Sequence, residues 1–597
     1  MSNNTSKVIA NNKDMANNTT NTSSKMPEYF ESRGETAPKE QTVAEFLGDD
    51  KLRESSTDRR DFLKFLGFSV AAATLAACEA PVIKAIPYVN KPENVVPGEA
   101  TWYASTYYDG SSYASILVKT REGRPIFIKG NADYGMTAGA INPQIAASVL
   151  SLYDSERLKN PLASGAESTW SAIDSKITDS LNRIKANNGK IVIFSNSIAS
   201  PSTLAVIEDF KKSFSSVEGT SNVELVQYDA VSYNGIRKAN EASFAMNVIP
   251  DYDFSKAETI VSVGADFLNG WLLSNIYSKQ YGIGRNPKNG KMSKHIQFEA
   301  NLSLTGSNAD FRGMVKPSQY PAVLAAIAEG VGAGSVSGVD TSAVKNNAAL
   351  KEAIKSLLAS KGKSLVVCGS NDVSLQIITN KINHTLGCYT ETINLNNPIQ
   401  MFNSEDDKVE KLVNDIIAGK GPQGIIFYGA NPVYTLPNGA ALAKALSKIE
   451  LTVSLASWAD ETASVCKFIA PDLHALESWN DYNPRKNHYS IAQPTIKPIH
   501  NTASAQESLL VWTGAAKRAG RESKVYFDYI SAMWEKEGFT RQTKYADFFT
   551  FWSKSVHDSA LDVPADAATS PAFIASLSGL PIKKVSGSGN FEVELYT

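Results

Sequence analysis

Short, unbroken apolar runs recur along the chain: Ile191-Val192-Ile193-Phe194, Thr259-Ile260-Val261-Ser262-Val263, residues 364–368, Gly424-Ile425-Ile426-Phe427-Tyr428 and Leu451-Thr452-Val453-Ser454, each ending in Gly, Ser or Asn. Amphipathic stretches lie between them, at residues 171–186, 322–329 and 407–418. A strand that is apolar on both faces must be covered on both faces, so strands of this kind separated by helices predict parallel sheets with helices on either side. Ahead of them, residues 102–131 are rich in Tyr, Ser, Ile and Val. A hairpin is predicted there, with strands over 115–120 and 125–129 around Arg121-Glu122-Gly123-Arg124. The fold class is therefore α/β: a small β-rich lobe over 101–165, then parallel-sheet α/β domains over 166–513. Residues 514–597 read as a mainly helical connection, and Phe591-Glu592-Val593-Glu594-Leu595-Tyr596-Thr597 as a closing strand.

The opening of the chain has a different texture. Residues 1–57 are rich in Asn, Ser, Thr and Lys and read as a disordered leader. Asp58-Arg59-Arg60-Asp61-Phe62-Leu63-Lys64 follows, then an apolar run over 65–77 and Cys78. The paired arginines Arg59 and Arg60, the short apolar run and the small residues before the cysteine describe a twin-arginine export signal over 58–77. A run of 13 residues is shorter than the roughly 20 needed to cross a bilayer core, so it is a signal and not a span. Leu75-Ala76-Ala77-Cys78 resembles a lipobox, with lipid attached to Cys78 and the mature chain starting there. Residues 78–100, stiffened by Pro81, Pro87, Pro92 and Pro97, form an extended tether. The expected location is the periplasmic face of a bacterial inner membrane, reached in a folded state and held by acyl chains.

Charge and composition then narrow the chemistry. With 59 Lys and Arg against 61 Asp and Glu, no excess field exists to hold a polyanion, and nucleic acid is not an expected partner. The 4 cysteines, Cys78, Cys368, Cys388 and Cys466, include no CxxC pair, and the 6 histidines form no HExxH or CxxCH. A cluster, structural zinc or covalent haem built from this chain alone is disfavoured. Cys368, in Leu365-Val366-Val367-Cys368, reads as an inert thiol on a buried strand, with a disulfide between two cysteines left open.

Two loops after apolar runs, Gly264-Ala265-Asp266 and Gly429-Ala430-Asn431-Pro432, are candidate phosphate cradles, although neither has a dinucleotide or P-loop spacing. Glu477, Asp481 and Arg485 are spaced by four, but Pro484 breaks any helix they would share. They read as a loop carrying surface ion pairs, and no catalytic residue is assigned.

Several segments, in order, resemble molybdopterin oxidoreductases: Gly123-Arg124-Pro125-Ile126-Phe127-Ile128-Lys129-Gly130-Asn131, Leu152-Tyr153-Asp154-Ser155-Glu156-Arg157-Leu158-Lys159-Asn160-Pro161-Leu162, the Trp170 helix, the two glycine loops, and Gln493-Pro494-Thr495-Ile496-Lys497-Pro498. The signal, Cys78 with Pro81 and Pro87-Tyr88-Val89, Pro97-Gly98 and His474-Ala475-Leu476-Glu477-Ser478-Trp479 are similar to the amino-terminal half of the large iron-sulfur subunit of bacterial alternative complex III, a quinol:electron-acceptor oxidoreductase. That resemblance implies integral-membrane quinol-oxidising subunits and cytochrome c subunits as partners. Catalytic relatives hold a cluster on four cysteines in the first lobe; here residues 106–115 offer Tyr, Asp, Gly and Ser, and Gly139-Ala140-Ile141-Asn142 ends on Asn142. An amide is not a soft anionic ligand for iron. The family's metal ligand falls near Val231-Ser232-Tyr233-Asn234, where Ser232 is the candidate. The expectation is a cofactor-free, non-catalytic scaffold, with iron-sulfur clusters only beyond Thr597 if the chain continues. An active molybdopterin-dependent reductase and a lipid-anchored solute-binding protein are the alternative readings.

Overall fold

The computed structural model describes residues 98–215, 222–583, 589 and 591–596. Arg59, Arg60, Cys78, the leader and nearly all of the tether lie outside the described residues. The described residues belong to a single compact unit, Pro92–Thr597.

The lobe is a three-stranded antiparallel sheet of Thr101–Tyr108, Tyr113–Arg121 and Arg124–Gly130. Its second hairpin turns on Glu122 and Gly123, both at positive φ (51° and 75°), the conformation that matches the twist of adjoining strands. The first hairpin is closed by Asp109, whose carboxylate accepts the N-H groups of Ser111 at 2.8 Å and Ser112 at 2.7 Å.

Two parallel sheets follow, as the apolar runs predict. The larger has seven strands, with Val223–Gln227, Ile191–Ser195, Gly424–Tyr428, Leu451–Ser454 and Phe468–Ile469 side by side in parallel, and the short antiparallel pair Leu162–Ala163 and Ala166–Glu167 at its edge. Both faces are covered. Ile193, Ile426 and Val453 enter one core cluster, while Val192, Phe194, Ile425 and Phe427 enter another. The helix Trp170–Ala186 packs on the first face through the stripe Ile173, Ile177, Leu181 and Ile184, and is capped by Thr169. The smaller sheet orders Phe311–Met314, Lys294–Glu299, Thr259–Val263 and Ser364–Cys368, all parallel. It is inserted between the two halves of the larger one.

An antiparallel sheet of five strands joins them: Ile249–Tyr252, Ile393–Ile399, Asn480–Arg485, His488–Ala492 and Ala560–Asp562. It corrects the reading of Glu477, Asp481 and Arg485 as a surface loop. Asp481 and Arg485 lie on a strand, and Glu477 and Asp481 are each only 3% exposed. Each side chain is satisfied elsewhere: Glu477 by Arg157 at 2.6 Å, Asp481 by Ser200 at 2.7 Å, Ser202 at 2.6 Å and Trp534 at 3.0 Å, and Arg485 by Asp251 at 2.8 Å. The predicted closing strand is a second correction, because 591–596 pair with no strand among the described residues. The segment is held instead through its carboxylates, Glu592 to Ser318 at 2.6 Å and Glu594 to Tyr320 at 2.7 Å. No helix among the described residues is long and apolar enough to cross a membrane.

Cys368, Cys388 and Cys466 are buried and free. Burial pushes their thiols up to about 12, 11 and 12, so none carries a thiolate near neutral pH.

Candidate cofactor cleft

A cleft of about 810 Å³ opens where the carboxyl ends of both parallel sheets converge. Asn196 follows Ile191–Ser195, Tyr228 and Asp229 follow Val223–Gln227, Leu268 follows Thr259–Val263, and Gly429 follows Gly424–Tyr428. Strand ends of this kind are where α/β sheets bind ligands. The lobe supplies another wall through Asp109, Gly110, Asn142 and Gln144.

The lining is rich in amides and hydroxyls. Its ionisable side chains are Asp109, Asp229, Tyr228 and Tyr233, and among the described residues no Lys, Arg or His lines it. Asp229 accepts the Ser197 N-H at 3.0 Å and its hydroxyl at 2.6 Å, while burial raises its carboxyl above the usual range despite those bonds.

The positions singled out in the sequence are turned to internal tasks. The Asn142 side chain caps the helix Pro143–Ala147 by accepting the Ile145 N-H at 2.8 Å. Ser232 does not line the cleft; its hydroxyl is committed to Asp406 at 2.7 Å and 2.9 Å. The Gly264 N-H donates to Phe298 at 2.8 Å, and a Cβ at Gly264 would meet the Tyr320 ring. Asp266 takes the N-H of Thr305 at 3.0 Å and its hydroxyl at 2.6 Å. Of the two glycine loops, only Gly429-Ala430-Asn431 lines the cleft. There Gly429, at φ 62°, leaves room for Asn196, whose Oδ1 would sit 2.7 Å from an added Cβ. Gly110 faces the same Asn196 side chain. The glycines at this end of the cleft thus make room for a protein amide. Among the described residues, no group of three His, Cys, Asp or Glu is placed to hold a metal ion.

Asn196, Asp229 and Gln144 escaped the sequence reading. The signal available was only position, since Asn196 and Asp229 stand one and two residues past strands with no motif spacing.

A direct test of the Asn196 plug is Gly429→Ala. It should cost about 1–3 kcal/mol in urea unfolding, from the left-handed backbone together with the clash. In an Asn196→Ala background the cost should fall, leaving the backbone part alone.

The fold defines a class: α/β and molybdopterin-oxidoreductase-like. Its architecture matches acetylene hydratase from Pelobacter acetylenicus, with a TM-score of 0.54 and 12% identity over 69% of each chain. In sequence it is similar to the molybdopterin-binding-like subunit of menaquinone reductase from Nitratidesulfovibrio vulgaris, 23% identical over 523 residues that span 76% of this chain and 72% of that one. No family model matches the chain.

The pterin cofactor implied by such a fold carries phosphate, and an anion of this kind calls for cationic side chains or free N-H groups. A lining with two carboxylates and no cation, and glycine loops occupied by Asn196 and Tyr320, does not fit it.

Proposed function

We propose that this chain is a non-catalytic, cofactor-free scaffold subunit of a membrane-bound respiratory quinol:electron-acceptor oxidoreductase of the alternative complex III type. Exported by its twin-arginine signal and lipid-anchored through Cys78, it presents a rigid periplasmic platform. On that platform neighbouring subunits hold the iron-sulfur and haem centres that carry electrons from quinol. The observation that carries this reading is the cleft lining: acidic where the family's cofactor is acidic, with Asn142 acting as a helix cap and Ser232 bound to Asp406. Similarity to a menaquinone reductase subunit supports the respiratory setting. The chemistry left to the chain is positional, with both parallel sheets and the lobe set around the cleft.

The test is purification of the full chain from membranes with its associated subunits. The complex should contain iron assignable to other subunits, and the separated chain should hold molybdenum, tungsten and pterin far below stoichiometry. Stoichiometric metal with a fluorescent pterin oxidation product would sink the proposal. Cys78→Ala should release the chain, on its own, from the membrane fraction into the soluble periplasm.

A further inference from the structure

The cleft that does not fit a phosphate still displays hydrogen-bonding groups that the protein leaves unused. Asn275 is 9% exposed, and its Nδ2 donates to the carbonyls of Tyr113 at 2.9 Å and Ala140 at 3.3 Å. Those two acceptors fix which way the amide faces. Oδ1 is therefore its free end, unpaired among the described residues and keeping accessible surface on the cleft. Ser274, its neighbour and 8% exposed, lines the same cavity with a hydroxyl in the same state. Asn196 completes the set: Gly110 and Gly429 leave space for its side chain, yet neither amide atom bonds to any described residue or is sealed from solvent. Buried polar side chains are as a rule satisfied, so three such groups on one lining mark a place for a bound molecule.

The carboxylates of the cleft, by contrast, are already taken. Asp229 receives both Ser197 donors. Asp109 receives the N-H groups of Ser111 and Ser112, the Tyr107 hydroxyl at 2.9 Å and the Gln144 amide at 3.0 Å. An ammonium ligand would have to displace those donors, and an anionic ligand would meet two carboxylates with no cation among the described lining residues. What remains free is uncharged: amides and a hydroxyl, offering donors and acceptors together. Beside them Tyr233 and Phe402 put aromatic surface on the same lining, with ring centroids 4.9 Å apart.

We infer that this cleft binds an uncharged polyhydroxylated ligand of the mono- or disaccharide class, its hydroxyls bonded to Asn196, Ser274 and Asn275 and an apolar C-H face against Tyr233 and Phe402. A sugar hydroxyl both donates and accepts, which is what amide and hydroxyl partners require. The cavity, at about 810 Å³, has the size of a small-molecule site. The inference rests on the cofactor-free reading, since a pterin would fill the same space.

Isothermal titration of the full-length protein, with pterin and molybdenum assayed on the same sample, tests it. The probes are glucose, galactose, mannose, maltose, lactose and sucrose, with glucose 6-phosphate and benzylamine as charged counterparts. At least one neutral sugar should bind with a Kd of about 1 mM or below, and glucose 6-phosphate and benzylamine should bind at least about tenfold more weakly than that sugar. Ser274→Ala should weaken the sugar by about three- to tenfold with the melting temperature unchanged, because the hydroxyl it removes holds nothing in the protein. Asn196→Leu keeps a branched side chain between Gly110 and Gly429 while removing the amide, and should weaken the sugar to a similar degree. Absence of binding by every neutral sugar at about 10 mM, tighter binding of either charged probe, or unchanged affinity in both variants would each overturn the inference while leaving the scaffold reading in place. Stoichiometric pterin in the sample would remove both.

Discussion

Glu477→Ala is expected to cost about 3–5 kcal/mol. Glu477 and Arg157 meet across 320 residues of sequence, with side chains 0% and 1% exposed. The carboxylate is fully used: Arg157 NH2 at 2.6 Å, the Ile499 N-H at 2.8 Å and the His474 N-H at 3.0 Å. Burial alone would raise its pKa, yet the Arg157 bond and the two N-H donors outweigh burial and hold it below the usual range. Removing the carboxylate leaves a buried guanidinium whose other donation is to the Leu152 carbonyl at 2.8 Å. Against a typical total stability of about 5–15 kcal/mol, that is a large fraction. Urea unfolding followed by circular dichroism measures it. The double variant Arg157→Met with Glu477→Leu should recover part of the loss, because no charge is then buried without a partner, while the Ile499 and His474 N-H groups still lose their acceptor. A loss below about 1 kcal/mol in Glu477→Ala would show that water or movement relieves the arginine, and the pair would not be a structural lock.

How much of this was legible in the sequence follows from what each element buries. The strands of the two parallel sheets announced themselves because residues 191–195, 259–263 and 364–368 are buried on both faces, so apolar residues dominate them and the polar ones are small Ser and Thr. The lobe hairpin was legible through its turn, where Glu122 and Gly123 adopt the positive φ that few residue pairs accept. The five-stranded antiparallel sheet was not. Its strands Ile393–Ile399 and Asn480–Arg485 read INLNNPI and NDYNPR, with prolines and amides that local propensity assigns to loops. They are strands because tertiary bonds outweigh propensity, above all Asp481 gripped by Ser200, Ser202 and Trp534. The four-residue spacing of Glu477, Asp481 and Arg485 misled for the same reason, since it has meaning only on a helix. In the cleft, the loop at Gly429 could be found as a glycine after a buried strand, whereas Asn196 and Asp229 become neighbours only once Ile191–Ser195 and Val223–Gln227 pair in register.

Lowering the pH from 7 to 4 should remove about 3 kcal/mol of stability through each of two buried histidines. His295 is 0% exposed and His474 is 9% exposed, and both are held down to about 4, by burial first and then by nearby cations, Arg285 for His295 and Arg157 for His474. The geometry explains why both stay neutral. His474 Nδ1 accepts the Leu476 N-H at 3.1 Å, so its proton sits on Nε2, 2.9 Å from the Ser151 hydroxyl; a second proton would break the Leu476 bond. Tyr281 gives its proton to the Asn308 carbonyl at 2.9 Å and lies 3.2 Å from His295 Nδ1, in a site where burial disfavours a second ring proton. In the unfolded chain both rings titrate near 6.5, so below that pH the unfolded state takes up protons first. The stabilisation is complete above about pH 7, falls progressively between 6.5 and 4, and changes no further below the folded values. Asp472, pushed up to about 7 by desolvation, and Asp481, also raised, act with the opposite sign, since their folded forms gain protons as the pH drops. The whole-protein curve is therefore a sum of opposed effects, and the clean observable is a difference. His474→Asn keeps an acceptor for the Leu476 N-H and removes the titration, so the stability of the parent minus that of the variant should fall by about 3 kcal/mol between pH 7 and 4. In an Asp472→Asn background, the parent curve itself should steepen over the same interval. A difference curve that stays flat across it would mean that His474 titrates alike in the folded and unfolded chain, and that neither burial nor the Leu476 N-H bond sets its charge.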